Sequence, residues 1–247
     1  MTAAYLFIPL IGLLAFFLKG ITGTGTSTVI VSLSTLFMPA KEAVILASFV
    51  NIFGGLAMLP VDPVPVRRSY WFSIAAVMIA GSVIGAWSLT ALHTRTFDLV
   101  FGAACLPLAG WFLFGPPPQT RDQAGVPHFA SAADLAVGTF AGFCGGFIGI
   151  NAPPLLLHFG RVLDKRHLRR LLVLIFIPAA IAQTGTFVWR GEVTRITVLL
   201  TISILPAMVA GIGLGNRAFV RISEQTFRRV LGALLLVIGL RLLWASW

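Results

Sequence analysis

The chain has 247 residues, of which 57% are hydrophobic and 11% are charged. A soluble domain carries about a quarter charged residues, so this composition excludes an ordinary soluble protein and predicts an integral membrane protein. The formal net charge of +10 would suit nucleic acid. However, most of the arginines lie in loops between apolar segments, as cytoplasmic topology demands, and we expect no nucleic-acid partner. Cys105 and Cys144 both lie in apolar segments, so neither a disulfide nor a metal site is expected.

Apolar segments follow one another along the chain, and most are close to the roughly 20 residues that a helix needs to cross a bilayer. They cover residues 3–38 (interrupted), 43–60, 70–92, 97–115, 132–160 (interrupted), 171–189, 196–216 and 227–247. No basic residue precedes the first apolar run, so we interpret it as an uncleaved membrane segment and not as a signal peptide. The sequence thus predicts an all-α polytopic membrane protein with about eight transmembrane segments.

The first segment is interrupted by a stretch that does not suit a continuous membrane helix. Residues 19–28 read Lys-Gly-Ile-Thr-Gly-Thr-Gly-Thr-Ser-Thr. Each backbone N–H or C=O group that a break leaves unpaired in hydrocarbon costs roughly several kcal/mol. A break is therefore expected only where these groups face protein, water or a ligand, which is typical of a transporter with a central site.

A related stretch, residues 146–154, interrupts the fifth segment with Gly-Phe-Ile-Gly-Ile-Asn-Ala-Pro-Pro. The corresponding pairs, at a constant offset of 126, are Gly20 with Gly146, Gly23 with Gly149, and Gly25 with Asn151. Further pairs match at an offset of 130: residues 81, 85, 96, 97, 100, 102 and 103 with residues 211, 215, 226, 227, 230, 232 and 233. These matches predict a duplicated chain. We assign Gly81, Gly85, Gly211 and Gly215 to helix packing, because glycines four residues apart let another backbone approach closely.

A Pro-rich linker, residues 116–130, divides the chain into a first repeat, 1–115, and a second repeat, 131–247, within one membrane domain. If each broken segment crosses the membrane once, the repeats are parallel. If each dips in and returns, they are inverted about a pseudo-two-fold axis, and the lysines and arginines are partitioned slightly more unequally. We favour the inverted arrangement. Both arrangements place the Arg-rich loop 161–170 in the cytoplasm and both termini outside.

Two helix ends that point at one place would bind an anion, because helix N-termini present unpaired N–H groups and a partial positive charge. We expect the anion near the membrane midplane between the two breaks. The candidate substrate-binding residues are Lys19, Gly20, Thr22, Gly23, Thr24, Gly25, Thr26, Ser27, Gly146, Gly149, Asn151, Asn51, Gln183 and His158.

Several of these residues have a structural alternative. The glycines could only allow close packing. Lys19 could extend to the membrane interface, because residues 3–18 already form about 24 Å of helix. His158 could be a packed or interface residue, and Asn51 and Gln183 could form hydrogen bonds between helices.

The acidic residues exclude some substrates. None of the eight lies in the middle of an apolar segment, whereas cation transport or a carboxylate proton relay normally needs one there. The substrate is therefore expected to be anionic or neutral. Proton coupling would have to use His158, Lys19 or the substrate itself.

At these residues the chain resembles the TauE/SafE family of sulfite exporters, also called the 4-toluenesulfonate uptake permease family. The resemblance rests on the Gly-x-x-Gly-x-Gly stretch at 20–25, on its counterpart Gly-x-x-Gly-x-Asn at 146–151, on the helices of the paired glycines, and on the duplicated four-segment layout. It covers nearly the whole chain. It implies transport of sulfite, thiosulfate, sulfonates or related small oxyanions, and it implies no enzymatic cofactor.

The sequence therefore predicts a secondary transporter of small sulfur-containing or organic anions in the cell (inner or plasma) membrane, working by alternating access. An anion or small-solute channel is the alternative, which saturation and counterflow would distinguish. An intramembrane enzyme that pairs Ser27 with His158 is a third class, which activity in detergent without a gradient would reveal. The substrate, the direction of transport, the coupling ion and the oligomeric state, for which a homodimer is one arrangement, stay open.

Overall fold

The computed structural model describes residues 7–22, 24–60, 63–115, 127–218 and 224–245. These residues form ten helices and contain no strand. The helices are α1 (Ile8–Thr22), α2 (Thr26–Ser34), α3 (Ala40–Met58), α4 (Arg68–Ala91), α5 (Thr94–Phe114), α6 (Ala132–Ile148), α7 (Ala152–Phe159), α8 (Lys165–Trp189), α9 (Arg195–Ala218) and α10 (Glu224–Ala245). The predicted all-α class is confirmed.

Helix length and composition agree with a polytopic membrane protein. In the described part of the chain, five helices (α3, α4, α5, α8 and α9) are long and apolar enough to cross a membrane. Helices α1 and α6 are apolar but shorter. Each predicted interrupted segment is a pair of helices, α1–α2 and α6–α7. The broken first segment of each repeat is therefore confirmed, whereas the total of eight spans stays a prediction.

The chain forms two compact units, and each takes helices from both predicted repeats. The first unit comprises Met1–Ala47, Leu89–Pro117 and Thr194–Trp247, and the second comprises Ser48–Ser88 and Pro118–Val193. The first holds α1, α2, α5, α9 and α10, the second holds α4, α6, α7 and α8, and α3 is divided between them. The linker lies outside the described residues as far as residue 126, and the predicted repeat boundaries stay a prediction.

In the first unit α1 packs closely on α9, and glycines allow the approach. A methyl group added at Gly211 would lie 2.8 Å from the carbonyl oxygen of Leu13, and one at Gly215 would overlap the carbonyl oxygen of Phe17. In the reverse direction, a Cβ added at Gly20 would lie 2.9 Å from the Cα of Gly215. The two backbones are thus in direct contact, as glycines four residues apart permit.

The second unit repeats this packing between α4 and α6. A methyl group at Gly81 would overlap the carbonyl oxygen of Thr139, and one at Gly85 would overlap the carbonyl oxygen of Phe143. Both glycines lie 130 residues before their counterparts in α9, and both carbonyl groups lie 126 residues after theirs in α1. These are the two offsets found in the sequence. The predicted packing role of the glycine pairs is confirmed.

The N-terminus of α8 is capped by Asp164. Its carboxylate accepts hydrogen bonds from the backbone N–H groups of Arg166 and His167 at 3.0 and 3.1 Å, and it also pairs with the His167 ring. Desolvation raises the pKa of Asp164, but the hydrogen bonds and the charge of His167 together outweigh it, so the pKa lies below its usual value. This cap fixes the start of α8 within the Arg-rich loop.

Candidate functional site

The first break separates α1, which ends at Thr22, from α2, which begins at Thr26. Gly25 precedes α2 with φ 86°, in the left-handed region that glycine adopts without a steric penalty. Gly25 has no side chain, so the residue that precedes α2 offers no side-chain acceptor to the first turn of this helix. Gly23 lies outside the described residues, and the side chain of Thr22 is not described either.

Helix α2 is short, polar and buried. Its nine residues carry hydroxyl groups along most of its length. The buried hydroxyl residues of the break and of α2 are Thr24, Thr26, Ser27, Thr28, Ser32 and Ser34. Among the described residues, the hydroxyls of Thr26, Ser32 and Ser34 have no hydrogen-bond partner. Each unpaired buried hydroxyl costs about 1–3 kcal/mol, so packing alone does not explain why this helix is polar.

Lys19 lies in the last turn of α1, just before the break. Its side chain is 4% exposed, and its Nζ lies 5.9 Å from the centroid of the Phe16 ring. It is the one buried charged side chain among the described residues of the first unit. This burial favours a role inside the protein over extension to the interface.

The second break differs from the first in its chemistry. Gly149 follows the last residue of α6, has φ 74° and donates its backbone N–H to the carbonyl oxygen of Gly145 at 3.0 Å. Asn151 precedes α7 without a side-chain cap, and it is half-buried. Pro153 and Pro154 then occupy the first turn of α7 and have no backbone N–H to donate. The N-terminus of α7 therefore offers fewer donors than that of α2.

Two of the predicted substrate-binding residues, Gln183 and Asn151, lie next to Gly145. Gly145 itself was not among the candidate residues. Gln183 of α8 is buried and donates a hydrogen bond from Nε2 to the carbonyl oxygen of Gly145 at 3.1 Å. The amide nitrogen of Asn151 lies 3.2 Å from the position of a Cβ at Gly145. Gly146 packs on α4 instead, where a Cβ would lie 2.7 Å from the backbone nitrogen of Ala86.

His158 lies far from the second break, at the other end of α7. Its Nε2 is 2.6 Å from Oδ1 of Asp134, in the first turn of α6. The same carboxylate caps α6 together with Ser131. The contact shows that α7 returns alongside α6 towards its start. The Ser-x-x-Asp capping pattern at 131–134 was a readable signal for this end of α6, but the pairing with His158 was missed.

Asn51 occupies a half-buried position in α3. One turn earlier, the hydroxyl of Ser48 accepts a hydrogen bond from the hydroxyl of Thr184 in α8 at 3.1 Å. This polar contact and the Gln183 contact are one residue apart on α8. Polar side chains therefore link α3, α8 and α6 inside the second unit.

Comparison with known proteins gives a family match that spans this architecture. The family model described as "Sulfite exporter TauE/SafE" matches residues 8–242, nearly the whole chain. Searches of curated proteins and of solved structures found no match. Within the described residues, no group of three or more His, Cys, Asp or Glu residues is placed to hold a metal ion. The chain belongs to the sulfite exporter TauE/SafE family.

Proposed function

We propose that this protein is a secondary transporter that moves small sulfur-containing or organic anions, such as sulfite, thiosulfate or sulfonates, by alternating access. Family membership supports anion transport across a membrane. The observation that carries the proposal is the polar, buried start of α2. There the N-terminus of α2 after Gly25, the Thr26 hydroxyl, which has no partner among the described residues, and the buried Lys19 lie within eight residues of sequence.

Each of these groups suits an oxyanion. Backbone N–H groups at a helix N-terminus donate hydrogen bonds to an anion, and the helix dipole favours negative charge there. The Thr26 hydroxyl would gain the partner that it lacks among the described residues. An ammonium group forms charge-assisted hydrogen bonds, which are roughly twice as strong as neutral ones. Together they would replace much of the hydration that the anion loses on entry.

The second break contributes neutral groups in this proposal. Asn151 supplies an amide that can donate or accept. Gly149, in its left-handed conformation, fixes the direction in which the chain leaves α6. Gln183 holds the carbonyl oxygen of Gly145 at this end of α6. The second break therefore carries neutral polar groups, whereas the first break carries the positive charge of Lys19.

The proposed orientation places loop 161–170 in the cytoplasm and both termini outside, in the inner or plasma membrane. The return of α7 alongside α6 supports the inverted arrangement of the repeats, in which each broken segment dips and returns. A cysteine introduced at the exposed Arg161 should resist a membrane-impermeant maleimide in intact cells and react after permeabilisation. Labelling in intact cells would show the opposite orientation, with loop 161–170 outside.

Transport into proteoliposomes tests the function directly. The wild-type protein should take up labelled sulfite or a labelled sulfonate with saturation and should show counterflow, which separates a carrier from a channel. Gly149→Ala should lower uptake at least tenfold, because a residue with a Cβ is strained at φ 74°. Gly185→Ala is the matched control, since a Cβ there meets open space. Wild-type uptake by both variants would remove Gly149 from the site, and no uptake by any protein would contradict anion transport.

A further inference from the structure

We propose that the substrate carries a single negative charge, as sulfonates and hydrogensulfite do, and that the first break alone recognises this charge. The inference rests on the proposed function and deepens it by naming the substrate's valence. It starts from the inequality of the two breaks and from the positions of the buried charges in each unit.

In the first unit the start of α2 combines three features that point to an anion. Lys19 is 4% exposed, Thr26 is 2% exposed with an unpartnered hydroxyl among the described residues, and Gly25, which precedes α2, has no side chain to cap the helix. Two other cations of the first unit are exposed and not buried at the break. Arg241 is exposed and donates to the carbonyl oxygen of Thr35, beyond the opposite end of α2. Arg217, in the last turn of α9, is exposed as well.

In the second unit the buried charges stand away from the break. Asp134 lies in the first turn of α6 and pairs with His158, whereas the break follows the last turn of that helix. Fourteen residues of helix separate Asp134 from Ile148, which is about 21 Å. Arg169 lies a similar distance from Gln183 along α8, and its Nη2 contacts the sulfur of Met58.

The break of the second unit therefore brings no charge of its own. Pro153 and Pro154 remove two N–H donors from the start of α7, and Asn151 and Gln183 are neutral amides. A single ammonium group, that of Lys19, is available for charge compensation among the described buried residues of the first unit.

The presence of a single buried ammonium group determines which charge of anion is favoured. A monovalent oxyanion next to Lys19 gives a buried pair with no residual charge. A divalent anion of the same size leaves one negative charge in a buried site without a compensating cation, which is unfavourable. The helix dipole offsets only part of that charge, because it is equivalent to roughly half an elementary charge. We expect a divalent anion to bind at least about tenfold more weakly, or about 1.4 kcal/mol.

Methanesulfonate and sulfate form a suitable pair of probes, because both are tetrahedral sulfur oxyanions and they differ in charge at neutral pH. Isothermal titration of the purified full-length protein should show tighter binding of methanesulfonate by at least tenfold. Lys19→Gln should lose at least tenfold in methanesulfonate affinity and most of the preference. Thr26→Val should weaken both anions without changing their ratio. Lys165→Gln, at an exposed lysine, should behave as wild type.

The outcomes separate the two proposals. Equal or tighter binding of sulfate would overturn the valence inference and leave anion transport intact. A preference for methanesulfonate that survives Lys19→Gln would overturn the role of Lys19. If that variant does not fold, the wild-type ratio and the Thr26→Val titration still decide the matter. Binding of neither anion, together with no uptake in proteoliposomes, would contradict both the inference and the proposed function.

Discussion

Replacing Gly215 by alanine tests whether the contact between α1 and α9 holds the first unit together. A methyl group there would overlap the carbonyl oxygen of Phe17 and lie 2.9 Å from the Cα of Gly20. Both obstacles are backbone atoms, so no side chain can turn aside, and the helices must separate. Overpacking of this kind costs about 1–3 kcal/mol.

The matched control lies two residues away on the same helix. At Gly213 a Cβ meets nothing within 4 Å. Both substitutions gain the same helix propensity of alanine over glycine, about 1 kcal/mol. The difference between Gly215→Ala and Gly213→Ala therefore isolates the steric term.

The assay is thermal unfolding of the two purified variants in one detergent. For a protein of this size 1 kcal/mol corresponds to roughly 2–4 °C, so Gly215→Ala should melt about 2–12 °C below Gly213→Ala. Gly85→Ala and Gly185→Ala repeat the comparison in the second unit, where the first meets a backbone oxygen and the second meets open space. Equal melting temperatures within both pairs would refute the packing argument.

Three further substitutions probe other contacts. Asp164→Ala removes the cap of α8 and should lower the free energy of unfolding by about 0.5–2 kcal/mol at pH 7. The pKa of Asp164 is lowered in the folded state, so its contribution to stability is complete above about pH 4 and disappears as the pH falls through the folded pKa. The stabilities of wild type and variant should therefore converge in acid. A stability difference that stays the same in acid would contradict this. Asp134→Asn weakens the charge-assisted contact with His158 and should lower stability by about 1–3 kcal/mol in denaturation, whereas no change would show the pair to be dispensable. Ser34→Ala removes an unpartnered hydroxyl, so the melting temperature should stay or rise, and a large fall would reveal a hidden partner.

The helix breaks could be predicted from the sequence because hydrocarbon penalises them. Glycines with hydroxyl residues in the first stretch, and glycines with Asn151 and two prolines in the second, do not suit a continuous membrane helix, and the structure interrupts both segments there. Gly25 and Gly149 adopt left-handed conformations, which few other residue types adopt, so glycines at these positions also indicate the breaks. The all-α class followed from composition in the same way.

The partners of each side chain could not be predicted, because they depend on tertiary packing. Gly20 and Gly146 look like break glycines in the sequence, yet both abut the backbone of a neighbouring helix. Nothing in the spacing of Asp134 and His158 indicates their contact, which exists only because α7 returns alongside α6. The unpartnered state of Ser32 is likewise visible only when all of its neighbours are placed.

Each compact unit takes helices from both predicted repeats, and this has a consequence for the order in which the protein assembles during synthesis. Phe17 meets Gly215, which the ribosome adds about 200 residues later, or roughly 10–40 s at ordinary elongation rates. Phe143 follows its partner Gly85 by about 60 residues, or roughly 3–12 s. The second unit ends at Val193, whereas the first extends to the last residue of the chain. We therefore expect the second unit to assemble first. Until α9 is synthesised, the face of α1 that contains Gly20 would contact lipid.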